Sequence, residues 1–309
     1  MLPHWFYDGS MKSTQFTEQA WDHKAAAEQL LATIDGGGEA NERYLELLKR
    51  CLMRIGMESR YEPLTFQRVP SLRRSLYSVL TNILGPRYEI VRRRRASRKD
   101  SLEGRKCSYD AESMIGQFRM NNLHDAVRTI MREGVPGDLV EAGVWRGGAT
   151  IFLRAALWAY GDQTRKVWAA DSFEGLPKPN KDIEADAGYD LSSVVELSVS
   201  LEDVQENFKR YGWLDDRVKF LKGWFKDTLP TAPIESIALL RADGDLYEST
   251  MDVLRSLYDK VSPGGFVVID DYGAWPPCRK AVDEFRAARG ITDPIEIIDW
   301  SGVYWRKGK

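Results

Sequence analysis

The sequence predicts a doubly wound α/β domain with a mostly parallel seven-stranded sheet, a C-terminal antiparallel hairpin and a helical N-terminal extension. Three observations carry this. Beyond about residue 110, short apolar runs alternate with helix-forming stretches, the pattern of parallel strands joined by crossover helices. The last two apolar runs, Ile295–Ile298 and Gly302–Trp305, are separated only by Asp299, Trp300 and Ser301, which leaves room for a hairpin and none for a crossover. Acidic residues stand at the ends of several runs, and the carboxyl ends of parallel strands are where such sheets bind ligands.

The elements follow in order. Residues 1–110 read as a helical cap and a basic linker. A helix is expected from Thr17 to Ile34, stopped by Gly36-Gly37-Gly38. A second runs from Asn41 to about Arg54, with Tyr44, Leu45, Leu47, Leu48, Cys51 and Leu52 at helical spacing. Leu72, Leu76, Val79, Leu80 and Ile83 suggest a third, amphipathic helix closed by Gly85-Pro86. The run Arg92-Arg93-Arg94-Arg95, with Arg98 and Lys99, is either an anion contact or a solvated segment. It lacks the interleaved aromatics that stack on bases.

Residues 111–309 carry the regular alternation. Helices are expected at Leu123–Arg132, Ala149–Tyr160, Leu201–Tyr211, Met251–Tyr258 and Cys278–Ala288. The strands are Gly137–Val144, Val167–Asp171, Val218–Leu221, Ile237–Arg241 and Phe266–Ile269, followed by the hairpin. Residues 172–198 form a long polar loop, uncommon unless functional. A terminal hairpin on a doubly wound sheet is the topological mark of the class I methyltransferase (Rossmann-like) fold, which the plain dinucleotide-binding fold lacks.

Composition bounds the function classes. A net charge of −2 gives no global argument for nucleic acid or membrane surfaces. Cys51, Cys107 and Cys278 are odd in number and far apart, which argues against a disulfide framework or zinc site and fits the cytoplasm. No run approaches the ~18 apolar residues of a membrane span. The first residues lack the pattern of a signal peptide.

Four motifs carry chemistry. Glu141-Ala142-Gly143-Val144-Trp145-Arg146-Gly147-Gly148 joins the first strand to a helix. Its small residues allow close backbone approach, the helix start offers free N–H groups, and Glu141 can accept from a ligand ammonium; a plain tight turn is the alternative. Asp171, ending the second strand before Ser172, suits bonding to the ribose hydroxyls that NAD and S-adenosylmethionine share, or else caps a turn. After the third strand, Gly223-Trp224-Phe225 offers a ring to stack on a base, although Phe225 reads equally well as core. The fourth motif is Asp243-Gly244-Asp245 with Asp270-Asp271, one strand apart. Clustered carboxylates repel one another and ask for a divalent cation or a shared proton. Asp243, Asp270 and Asp271 can converge on one oxygen-ligated metal, with Asp245 two residues away as a proton acceptor. The three histidines, His4, His23 and His124, suggest no role; His124 is expected to begin a helix.

Residues 118–308 resemble the TylF/MycF family of macrolide-sugar O-methyltransferases. The matching phrases are Gly137–Gly148, Ala170-Asp171-Ser172-Phe173, Gly223–Pro230, Asp243–Thr250, Asp270-Asp271-Tyr272 and Gly302-Val303-Tyr304-Trp305. Arg43–Leu52 also looks like the family's N-terminal helix. The resemblance implies dependence on S-adenosylmethionine and Mg²⁺, the metal on Asp243, Asp270 and Asp271, and transfer to a sugar hydroxyl of a glycosylated natural product. It also implies a homodimer or higher homo-oligomer. The chain departs from the family pattern in about 40 extra N-terminal residues and a longer basic stretch between about 60 and 110.

The expected mechanism is SN2 methyl transfer to a hydroxyl, with Asp245 as general base and Asp243 as the second candidate. Cofactor contacts are expected from Glu141, Gly143, Trp145, Arg146, Gly147, Asp171, Ser172, Gly223, Trp224 and Asp243. Two other acceptor chemistries compete: a catechol or other phenol, whose vicinal oxygens also chelate, and the nucleotide sugar of a metal-dependent glycosyltransferase, suggested by Asp-x-Asp alone. A cofactor-binding interaction protein without turnover gives no reason to keep buried acids.

Overall fold

In the computed structural model, residues 40–55, 60–64, 69–85, 88, 90–94 and 98–308 are described. The expected Thr17–Ile34 helix lies outside them. Helix α1 (Ala40–Met53) buries Leu45, Leu48, Leu52 and Met53 along one stripe. The chain continues through β1 (Arg60–Pro63), α2 (Arg74–Leu84), β2 (Val91–Arg94), α3 (Arg98–Leu102) and α4 (Gly116–Glu133). Next come β3 (Asp138–Ala142), α5 (Gly148–Ala159), β4 (Val167–Asp171), α6 (Leu201–Arg210), β5 (Val218–Lys222) and the single turn α7 (Phe225–Thr228). The chain closes with β6 (Ile237–Ala242), α8 (Tyr247–Leu257), β7 (Val261–Ile269), α9 (Pro276–Ala288), β8 (Glu296–Ile297) and β9 (Val303–Arg306).

The seven-stranded sheet has the order β5-β4-β3-β6-β7-β9-β8. The first five strands pair in parallel, while β9 pairs antiparallel with both β7 and β8, as the short Asp299–Ser301 connection requires. Strand order reverses between β3 and β6, both almost wholly buried, so the crevice at their carboxyl ends is the expected ligand position. One core layer lies between the sheet and α1, α4, α5 and α6, the other between the sheet and α8 and α9. Helix α5 is buried on nearly every face because α1 covers its outer side.

Several boundaries differ from expectation. Helix α4 begins at Gly116 rather than Leu123, because its first turns are polar yet buried. His124 therefore lies mid-helix, 4% exposed, where its Nδ1 can only accept from Lys49 Nζ at 3.2 Å. That fixes its Nε2–H as donor to Tyr160, whose hydroxyl donates to Glu42 at 2.7 Å, tying α1 to α4 and α5. Helix α8 begins at Tyr247 rather than Met251, directly after the Asp243–Asp245 turn. Part of the basic run is strand β2, paired antiparallel with β1. Residues 95–97 lie outside the described set. Helix α2 forms where its apolar spacing predicts, but the stripe is exposed in this chain: Leu76 is 60% and Ile83 75% accessible. Among the described residues no helix is long and apolar enough to cross a membrane.

Candidate active site

A cleft of about 370 Å³ opens over the carboxyl ends of β3 and β6. Its β3–β4 side is built from backbone turns. Gly143 has φ +90°, and a Cβ there would lie 2.0 Å from the carbonyl oxygen of Asp243, so only glycine lets the two strand ends meet. Trp145 and Phe173, neither of them glycine, are also left-handed (φ +49° and +56°), the kind of backbone strain that gathers at ligand sites. Gly147 is the left-handed N-cap of α5 (φ +87°), and the first two helical residues, Gly148 and Ala149, line the cleft.

Asp171 accepts from the N–H of Val144 at 2.7 Å and of Phe173 at 2.8 Å. It thus ties the β3 and β4 turns together and still lines the cleft. Ser172 Oγ donates to the Gly175 carbonyl at 2.7 Å, closing the same turn. Arg146 stacks on Trp145 at 4.5 Å and donates to the Ala111 carbonyl, pinning the chain before α4. It does not line the cleft among the described residues. Gly223 N–H donates to the Asp171 carbonyl at 2.9 Å. Trp224 and Phe225 both line the cleft, and Phe225 also packs against the core of the α8–α9 face.

The β6–β7 side is built from charges. Asp243, Asp245 and Asp271 bring one oxygen each to within 4.8 Å of one another, a spacing that suits a hard dication. Asp245 is left-handed (φ +53°), and its N–H donates to Asp271 Oδ2 at 3.2 Å. Burial and the neighbouring Asp243 push the Asp245 and Asp271 carboxyls well above the usual range. Asp270 faces another way: Arg119 and Arg241 take its two oxygens, and despite burial their guanidiniums hold it below the usual range.

Two of these groups escape the sequence reading. Arg241, 1% exposed, reaches Glu141 Oε1 at 2.6 Å and Asp243 Oδ2 at 2.9 Å as well as Asp270. Arg119, from α4, also holds Asp299 Oδ2 at 3.0 Å. An arginine inside the apolar run Ile237–Ala242 signals buried acid partners, because an unpaired buried charge is untenable; nothing local marks Arg119. Glu141 is shared between Arg241 and Thr150, and burial raises its carboxyl to about 7. Of the expected cofactor positions, Glu141, Gly143, Trp145, Asp171, Ser172, Trp224 and Asp243 line the cleft, whereas Arg146, Gly147 and Gly223 do not. The expected metal trio is split, with Asp243 and Asp271 in the acid cluster and Asp270 in the arginine clamp.

The TylF family model, macrocin O-methyltransferase, matches residues 41–307. The chain is 55% identical over 201 residues to the mycinamicin III 3''-O-methyltransferase of Micromonospora griseorubida, covering 64% of this chain and 79% of that protein. It is 53% identical over 208 residues to the 8-demethyl-8-(2,3-dimethoxy-alpha-L-rhamnosyl)-tetracenomycin-C 4'-O-methyltransferase of Streptomyces olivaceus, covering 66% of this chain and 79% of that one. The solved O-methyltransferase NovP superposes with a TM-score of 0.74 at 41% identity, over 87% of this chain and all of that chain. The chain therefore belongs to the TylF family, and it is an O-methyltransferase on the fold of the S-adenosylmethionine-dependent methyltransferases.

Proposed function

We propose that this enzyme transfers the methyl group of S-adenosylmethionine to a sugar hydroxyl of a glycosylated natural product, with Mg²⁺ held on the β6–β7 acids. The observation that carries this is the division of one cleft into a backbone-lined half and an acid-lined half. The acceptors named for the relatives, mycinamicin III and a rhamnosylated tetracenomycin, support a sugar acceptor over a catechol or a nucleotide sugar. The first half takes the cofactor: Gly143, Trp145 and Gly147 at the turn, Asp171 and Ser172 at the ribose, Trp224 at the base, and Glu141 toward the ammonium.

Asp243 and Asp271 are the acids best placed for the ion, and Asp270, kept ionised by Arg119 and Arg241, completes the anionic set. The bound ion would hold the acceptor's vicinal oxygens and make one of them more acidic. Asp245, whose carboxylate converges with those of Asp243 and Asp271, takes the hydroxyl proton as the C–S bond breaks and the O–CH₃ bond forms. The convergence of Asp245 with Asp243 and Asp271 favours a second reading, in which Asp245 is itself a ligand.

The variant Asp245→Asn separates the two. As base, its loss removes turnover and leaves Mg²⁺ affinity intact; as ligand, it weakens both. The acceptor is tested by mass spectrometry on a panel of glycosylated compounds and diphenols. A methyl gain on the sugars supports the proposal, and one confined to the diphenols defeats it. The homo-oligomer belongs to the same proposal, and a monomer by light scattering contradicts it.

A further inference from the structure

The 172–198 loop does more than border the cleft. Helix α8 starts two residues after Asp245, and its N-cap is Leu246, which has no side chain to accept from the free amides of the first turn. Those amides are satisfied from about sixty residues upstream. Asp186, in a 3-10 turn of the loop (Glu184–Asp186), is 0% exposed. Its Oδ1 accepts from the Tyr247 N–H at 2.6 Å and its Oδ2 from the Glu248 N–H at 3.2 Å. A carboxylate in that place also meets the positive end of the helix dipole.

Other contacts hold the loop against both halves of the site. The Trp145 indole donates to the Glu196 carbonyl at 2.9 Å, Asn180 donates to Glu248 at 3.3 Å, and Tyr189 sets its ring edgewise to Trp275 at 5.7 Å. The turn between β6 and α8 is strained at Asp245 (φ +53°), and a non-glycine residue stays there only when its surroundings over-determine it. The bond from the Asp245 N–H to Asp271 is one constraint. The fixed start of α8 is another, and Asp186 supplies it.

We propose that Asp186 is a positioning residue: docking of the 172–198 loop caps α8 and thereby sets the Asp243–Asp245 turn, so that covering the cleft and aiming Asp245 are one event. The proposal rests on the reading of Asp245 as base. It gives the loop a role that a simple cover would lack, because an undocked loop leaves the reactive half unassembled as well as open to water. The Asp186 carboxylate bonds to the start of α8, and the turns after β3 and β4 keep their own hydrogen bonds.

The test is steady-state kinetics and limited proteolysis of Asp186→Ala and Asp186→Asn, each also on the Asp245→Asn background. Asp186→Ala is expected to lower kcat about 100-fold, the usual scale for a misplaced group, with KM for S-adenosylmethionine unchanged and faster cleavage within the loop. Asp186→Asn keeps one acceptor oxygen for the Tyr247 amide and falls between. On the Asp245→Asn background the Asp186→Ala change costs nothing further. A lower Tm with unchanged kcat overturns the proposal by making the cap purely structural, and fully additive losses overturn it by separating the latch from the base. Wild-type turnover in Asp245→Asn alone removes the base reading and the latch's target with it. A large loss there beside an unchanged Asp186→Ala enzyme overturns the latch and leaves the base.

Discussion

The two halves of the cleft are built on opposite principles. At the turns after β3 and β4, polar groups find neutral partners: Asp171 is answered by backbone amides, Ser172 by a carbonyl, and glycines carry the tight approaches, while Glu141, inside β3, already joins the charges through Arg241. On the β6–β7 side, Asp243, Asp245, Asp270, Asp271 and Asp299 crowd around Arg119 and Arg241. The first arrangement is complete without a ligand. The second gathers more buried acids than its two guanidiniums pair with, and in the proposed function a cation would complete it. One half is thus set by backbone geometry, and the other by charge.

Arg241 is the residue on which the charged half most depends. Arg241→Met strips the shared counter-charge from Glu141, Asp243 and Asp270, and should cost roughly 3–5 kcal/mol of stability in urea denaturation. Part of that loss should return with added Mg²⁺, since a ligand of the folded state stabilises it by mass action. An unchanged midpoint would show that the acids need no internal cation.

A smaller effect is expected where the halves touch. Gly143→Ala places a Cβ against the Asp243 carbonyl and should cost about 1–3 kcal/mol for the overpacked site, on top of the backbone cost of its left-handed φ. Gly161→Ala is the control, left-handed at φ +78° but with open space around it, so only the backbone cost of about 1–2 kcal/mol applies. If the two variants match, the close approach is not a constraint.

The smallest effect lies outside both halves. Burial, with Lys49 and Arg128 nearby, lowers His124 to about 3, so the native state refuses a proton that the unfolded chain takes near pH 6.5. The unfolded state then binds more protons, and stability falls as pH drops from about 6.5 toward 3. His124→Gln should flatten that slope in denaturation series; an identical slope would mean that other groups carry it.

What the sequence reveals follows the same division. The hairpin, the glycine turns and the four aspartates are local signals: three residues between Ile298 and Gly302, or small residues after a strand, suffice. The charge network is assembled across the chain. Arg119 lies on a helix far in sequence from the acids it holds, and no periodicity marks it as different from a surface arginine. Asp270 and Asp271 are neighbours in sequence and look alike there, yet strand geometry turns one to the arginines and the other to the acid cluster. The start of α8 is hidden for a related reason: its cap is Asp186, and a helix whose cap lies about sixty residues away carries no local start signal. The exposed stripe of α2 shows the converse limit, since spacing predicts the helix but not what covers it.

The division of the cleft implies a cofactor that binds without the cation and a cation that serves only the acceptor half. The direct measurement is calorimetric titration of S-adenosylmethionine into metal-free enzyme, alongside methyl transfer to a glycosylated acceptor with and without Mg²⁺. Equal cofactor affinity is expected in both conditions, with turnover only when the metal is present. Full turnover in excess EDTA, or cofactor binding that vanishes without Mg²⁺, would contradict it.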